Sequence, residues 1–107
     1  MTRFLLQDVL PELAEELRTL LETDGESQLA AQVSSLRIVD RCRCGDDFCA
    51  TFYTAPKPKG AWGAKHETIA LDAENGYLNV DINDGRIVCV EVLYRDEIRD
   101  RLLRLLT

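Results

Sequence analysis

The sequence predicts an α+β domain: a four- to five-stranded antiparallel sheet with an N-terminal helix, or helix pair, and a C-terminal helix packed on one face. Three observations carry this. Both ends of the chain repeat leucine or isoleucine at helical spacing. Residues 77–94 alternate apolar and polar side chains on either side of Asp84-Gly85. Between these lie short runs rich in β-branched and aromatic residues, separated by turn formers. At 107 residues and 46% hydrophobic, the chain is long enough for one domain, 1–107, around one core.

The first helix is read from Leu13, Leu17, Leu20 and Leu21, which form one stripe, with Glu12, Glu15, Glu16, Arg18 and Glu22 between them. Asp8 is its expected N-cap, Pro11 sits in its first turn, and Gly25 ends it. A second short helix is expected over 27–34, with Leu29 and Val33 inward. The period then changes to that of strands. Residues 36–43 and 50–54 predict a hairpin about the turn Gly45-Asp46-Asp47, which places the cysteines at its tip. Residues 55–65 contain Pro56, Pro58, Gly60 and Gly63 and read as a loop. An extended segment resumes over 66–72, and Glu74-Asn75-Gly76 is a further turn.

In the hairpin 77–94, Leu78, Val80 and Ile82 face one side, as do Val88, Val90 and Val92. A two-residue turn would set Val80 opposite Cys89. A three-residue loop with Gly85 left-handed would set Val80 opposite Val88 and keep the apolar face continuous, so a type I turn with a G1 bulge is expected. The last helix starts near Asp96, with Ile98, Leu102 and Leu105 on one face and Leu103 and Leu106 widening it.

The net charge is −6, which argues against non-specific binding to nucleic acid or anionic membranes. The charge is uneven: residues 36–66 hold six bases and three acids, while 67–94 hold six acids and one base. No apolar run approaches a membrane span, and Phe4-Leu5-Leu6 is too short for a secretory signal. A cytoplasmic location is therefore expected. Thiols stay reduced there, and the four cysteines do not read as a disulfide framework.

Three of those cysteines lie in Arg41-Cys42-Arg43-Cys44-Gly45-Asp46-Asp47-Phe48-Cys49. Three chemistries fit. A structural zinc site would use Cys42, Cys44 and Cys49, completed by His66 or, alternatively, Cys89. Cys42 and Cys44, two apart, share one side of a strand, and Cys49 returns across the turn. The C-x-C-x₄-C spacing is not that of a zinc ribbon, and no second pair follows. In the second reading, a four-residue loop, 45–48, sets Cys44 opposite Cys49 at the spacing of a redox-active disulfide. In the third, the thiols are small half-buried packing groups. Cys89 is expected to pack on the face opposite the valines.

The loop 57–66 collects Lys57, Lys59, Trp62, Lys65 and His66, the only tryptophan and the only histidine among them. Lysines supply point charges, and glycines beside a tryptophan allow close approach to a ligand, so these five residues are the expected partner-binding surface. The alternative is a surface loop whose Trp62 covers the sheet edge or core. The loop matches no nucleotide-binding fingerprint. No nucleophile, base and orienting group can be assembled, so the chain is expected to be a non-enzymatic binding or interaction protein with no cofactor other than zinc. A protein partner is expected, and a homodimer through a sheet edge near the first hairpin is the further option.

The run from Arg41 to Tyr53, with Gly76-Tyr77-Leu78-Asn79-Val80-Asp81 and Glu91-Val92-Leu93-Tyr94-Arg95, resembles a set of small uncharacterised bacterial proteins with a C-x-C-G-x-x-x-C hairpin. The resemblance covers about residues 36–106. It implies a bacterial cytoplasmic protein and brings no activity, cofactor or site residue.

Overall fold

The computed structural model describes residues 4–106. Strand β1 (Phe4–Leu5) leads into helices α1 (Leu6–Val9), α2 (Pro11–Thr23) and α3 (Ser27–Gln32). A 3₁₀ turn (Val33–Ser35) precedes strands β2 (Arg37–Ile38), β3 (Asp40–Arg41), β4 (Phe52–Tyr53), β5 (His66–Leu71), β6 (Tyr77–Asn83) and β7 (Arg86–Leu93), and helix α4 (Asp96–Leu105) ends the chain. The main sheet is antiparallel with order β3-β4-β7-β6-β5, and β1 pairs with β2 as a small second sheet. The predicted α+β class and its antiparallel sheet are thus observed. Among the described residues no helix is long and apolar enough to cross a membrane.

Pro11 begins α2, where its missing N–H costs nothing. The predicted cap is displaced: Asp8 lies inside α1, and Leu10 precedes α2. Leu13, Leu17 and Leu21 of α2 are buried, while Arg18 pairs with Glu15 and Glu22 on the outer side. These leucines, with Ile98 and Leu102 of α4, pack on Phe52, Leu78, Val80, Ile82, Val90 and Val92 of the sheet. The helices therefore cover one face, as the stripes require. Arg95, 8% exposed, clamps Glu16 with bonds of 2.7 and 2.6 Å, and its Nε donates to the Asn75 carbonyl at 2.8 Å. One side chain thereby ties the start of α4 to α2 and to the turn before β6.

The β6–β7 hairpin differs from the expected form. Asn83 pairs with Arg86, so the turn has two residues, Asp84 (φ 54°) and Gly85 (φ 79°), both left-handed as a type I′ turn requires. The extra residue enters later, at Val88, and restores the register so that Val80 faces Val90 and Leu78 faces Val92. The continuous apolar face is achieved with partners two positions from those expected, because an aspartate tolerates the left-handed conformation that the two-residue turn needs. The first hairpin is also shorter than its pattern. Arg37–Ile38 pairs with Phe4–Leu5, and only Asp40–Arg41 joins β4.

Candidate metal centre and the polar face beside it

The cysteine hairpin follows the β3–β4 register. Asp40 faces Tyr53, Arg41 faces Phe52, and the Cys42 N–H donates to the Thr51 carbonyl at 2.8 Å. Continuing that register sets position 44 across from 49. The chain closes with the Cys49 N–H on the Asp46 carbonyl at 3.3 Å, and Gly45 takes φ 83°. Cys49 also bridges to Leu93 at the end of β7, so the hairpin tip is anchored to the main sheet.

This geometry brings Cys42, Cys44 and Cys49 together. Their Sγ atoms all lie within 4.8 Å of one another, with Cys44 exposed and the other two half-buried. Three sulfurs on one zinc ion stand about 3.8 Å apart, from Zn–S bonds of about 2.3 Å and tetrahedral angles. Small side-chain rotations would close the group on a metal, so it could hold one ion. The thiols are not equivalent. The Cys44 thiol is pushed up to about 11: the Asp46 backbone favours its thiolate, but the Cys42 and Cys49 thiols and desolvation outweigh that. For Cys49 burial opposes ionisation, yet the Thr51 N–H and hydroxyl and the two other thiols hold its thiol below the usual range. Cys49 is therefore more readily ionised than Cys44.

The two arginines of the motif point to other work. Arg43 pairs with Asp40 at 2.8 Å, and Arg41 Nε donates to the Leu106 carbonyl at 2.7 Å.

The expected fourth ligands lie elsewhere. His66 starts β5, the far edge of the sheet from β3, and its Nε2 is 3.0 Å from Asp81 Oδ1. Cys89 is 3% exposed, opposite Tyr53 and Asp81 in the middle of the sheet. Neither belongs to the thiol group, and among the described residues no further cysteine, histidine or carboxylate joins it at that distance. His66, on the far edge strand β5, and Cys89, on β7 beside β4, thus stand outside the close thiol group, although Cys89 shares a cleft with Cys42.

The sheet face opposite the helices carries a polar network that the alternation of β6 disguised as a solvated side. Asn79 and Asp81 are 6% and 5% exposed. Thr68 donates to Asp81 Oδ1 at 2.6 Å, on the same oxygen as His66. Burial opposes ionisation of Asp81, but hydrogen bonds from Thr68, Glu91 and His66 outweigh it and keep its carboxyl below the usual range. Burial first and then Asp81 push Glu91 up. Burial likewise raises the Cys89 thiol and brings the Tyr53 hydroxyl up to about 12, helped by Cys89 and Cys42. A cleft of about 300 Å³ opens over this network, lined by Cys42, Tyr53, Trp62, Asp81, Cys89 and Glu91 among others. Tyr53 and Trp62 form its aromatic side, with ring centroids 6.4 Å apart, and the Lys57 ammonium lies 5.6 Å from the Tyr53 ring centre. Lys65 pairs loosely with Asp84 at 3.4 Å, both exposed, and Lys59 is exposed. The expected binding loop thus places Trp62 and Lys57 beside Tyr53, and sends Lys65 and His66 toward the other end of the sheet.

Asp81, Glu91, Thr68 and Tyr53 were absent from the sequence-derived site. The signal that could have found them is the pairing of His66 and Thr68, two apart on one strand face, with the acid at 81.

No family model, curated protein or solved structure matches the chain.

Proposed function

We propose that the chain is a small non-enzymatic metal-binding domain whose site is the thiol group of Cys42, Cys44 and Cys49. The observation that supports it is the convergence of three sulfurs within 4.8 Å from a C-x-C strand segment and its return. Zinc is the first metal to test, since thiolates bind it and zinc contributes directly to folding where its ligands lie on short, weakly paired strands. Strands β3 and β4, with two residues each, are such a case. Protein purified without an affinity tag should carry about one equivalent of metal, and Cys44→Ser should abolish it. Metal-free protein with four freely titratable thiols, unchanged by added zinc, would sink the proposal.

The cleft under Trp62 favours a second reading, in which loop 54–65 forms a surface for a protein partner in a bacterial cytoplasm. Lys57 over the Tyr53 ring beside it and the Asp81–Glu91 pair within it offer both signs of charge to a ligand. Trp62 fluorescence reports on it. If a partner that co-purifies binds equally well after charge reversal at Lys57, Lys59 and Lys65, this loop is not the surface.

A further inference from the structure

We infer that the three-thiol group is a trigonal site for a soft monovalent ion, copper(I), rather than a tetrahedral zinc site. This deepens the metal-binding proposal and rests on it.

Three features of the structure converge on the smaller coordination number. The donor set is entirely sulfur, a ligand type that suits copper(I) as well as zinc. The number of donors is three. Zinc in a structural site takes four ligands, whereas copper(I), with a filled d shell and a single charge, is saturated by three thiolates in a plane. Among the described residues no fourth donor joins the three sulfurs within 4.8 Å: His66 is bonded to Asp81 at 3.0 Å on the far edge strand, and Cys89 is buried in the sheet centre. His66 is held in the β5–β6 register, with β6, β7 and β4 between it and the hairpin strand β3.

The chemistry balances without an external oxidant. Copper enters as copper(I) and leaves the group in the same state. The three thiol protons pass to solvent as three Cu–S bonds form, and the centre carries a net charge of −2. Arg99, and Arg41 with its Nε on the Leu106 carbonyl, line the small cleft that also holds Cys42, Cys49 and Asp46, so charges of both signs lie near the centre. Cys44 is exposed, so an incoming thiolate carrier can reach the ion and exchange ligands one at a time.

The experiment is an anaerobic titration of the full chain, loaded with one equivalent of zinc, by copper(I) supplied as a complex with a competing chromophoric chelator. X-ray absorption at the copper edge follows on the product. The expected result is one copper(I) per chain with zinc released, and a shell of three sulfurs with no nitrogen or oxygen. Cys42→Ser, Cys44→Ser and Cys49→Ser should each weaken copper retention by more than the roughly tenfold that changes outside the ligand shell typically cost. Cys89→Ser and His66→Ala should leave it unchanged. Full retention in any one of the three serine variants would mean two-coordinate copper and overturn the inference. Zinc that withstands copper(I), with a nitrogen or oxygen as its fourth donor, would overturn it while leaving the metal-binding proposal standing. Retention of neither metal would overturn both.

Discussion

His66 Nε2 lies 3.0 Å from Asp81 Oδ1, and this contact holds the only histidine of the chain at the sheet edge opposite the cysteine hairpin. It ties the imidazole into the carboxylate network on the polar sheet face and leaves the all-sulfur group at the hairpin tip, with Cys42 lining the cleft beside that network. His66→Ala should therefore leave metal stoichiometry untouched and destabilise the fold by about 1 kcal/mol, less than the roughly 1.5–3 kcal/mol of a hydrogen bond to a charged group because the imidazole is partly exposed. Urea denaturation beside a metal assay checks both. A loss of bound metal with no loss of stability would reverse the assignment.

Glu91 should respond to pH in a definite sense. Its carboxyl is raised by burial and by Asp81, from an ordinary value of 4.5. The folded state then binds its proton more tightly than the unfolded state does, so Glu91 costs stability as pH rises from 4.5 through the raised value, and the cost persists above it. Glu91→Gln, which keeps a hydrogen-bonding amide toward Asp81 and Asn79, should be more stable than the parent at pH 8. The difference should vanish below pH 4.5. Denaturation midpoints at the two pH values test this, and an advantage that grows on acidification would refute it.

Arg95 and Glu16 are a clamp whose halves are unequally exposed, at 8% and 29% of their side chains. Removing the partner of a buried charge typically costs about 3–5 kcal/mol, and the half-open glutamate side reduces that. Arg95→Ala should cost about 3 kcal/mol and Glu16→Gln about 2 kcal/mol. The double variant should lose less than the sum, which a double-mutant cycle would measure.

Two glycines of positive φ should behave differently. A Cβ at Gly76 would stand 2.5 Å from the Leu93 carbonyl oxygen, whereas one at Gly85 would meet nothing within 4 Å. Gly85→Ala should cost about 1 kcal/mol, the price of the left-handed conformation. Gly76→Ala should cost at least about 2 kcal/mol, because the backbone of β7 must also shift. Equal costs in thermal unfolding would remove the steric argument.

In the metal-free protein the thiols should react out of order with their exposure. Cys49 is half-buried but has a lowered thiol, while Cys44 is exposed and pushed up to about 11. Since the thiolate is the nucleophile, alkylation at pH 8 should label Cys49 before Cys44. Peptide mapping after brief labelling decides it.

Much of this fold was legible because its signals are periodic. The leucines of α2 and the alternation of β6 and β7 each specify a buried side through local geometry alone. The β1–β2 pair was not legible, since two residues carry no period and their pairing is set by how the helices return the chain. The hairpin register was half legible. The need to keep Val80, Val90 and Val92 on one side was visible, but the choice between a bulge at the turn and one at Val88 depends on whether Asp84 adopts a left-handed backbone. The convergence of Cys42, Cys44 and Cys49 followed from their spacing about a turn. Cys89 packs on the face opposite the valines, as its place in the alternation implies; the position of His66 was not legible, because distance across a sheet depends on strand order, and β7 and β6 lie between β4 and β5. The pair of buried Asp81 and half-buried Glu91 was hidden for a similar reason: polar alternation in a strand marks a solvated side unless neighbouring groups enclose it, and here Tyr53 and Trp62 line the cleft with them.

The most direct test of the central claim is native mass spectrometry of the untagged chain titrated under reducing conditions with zinc and, separately, with copper(I). The account predicts a single metal ion per chain, with all binding lost when Cys42, Cys44 and Cys49 are replaced together by serine and kept when Cys89 is replaced. A chain that stays metal-free at an excess of both ions, or that binds equally well without the three hairpin cysteines, would contradict it.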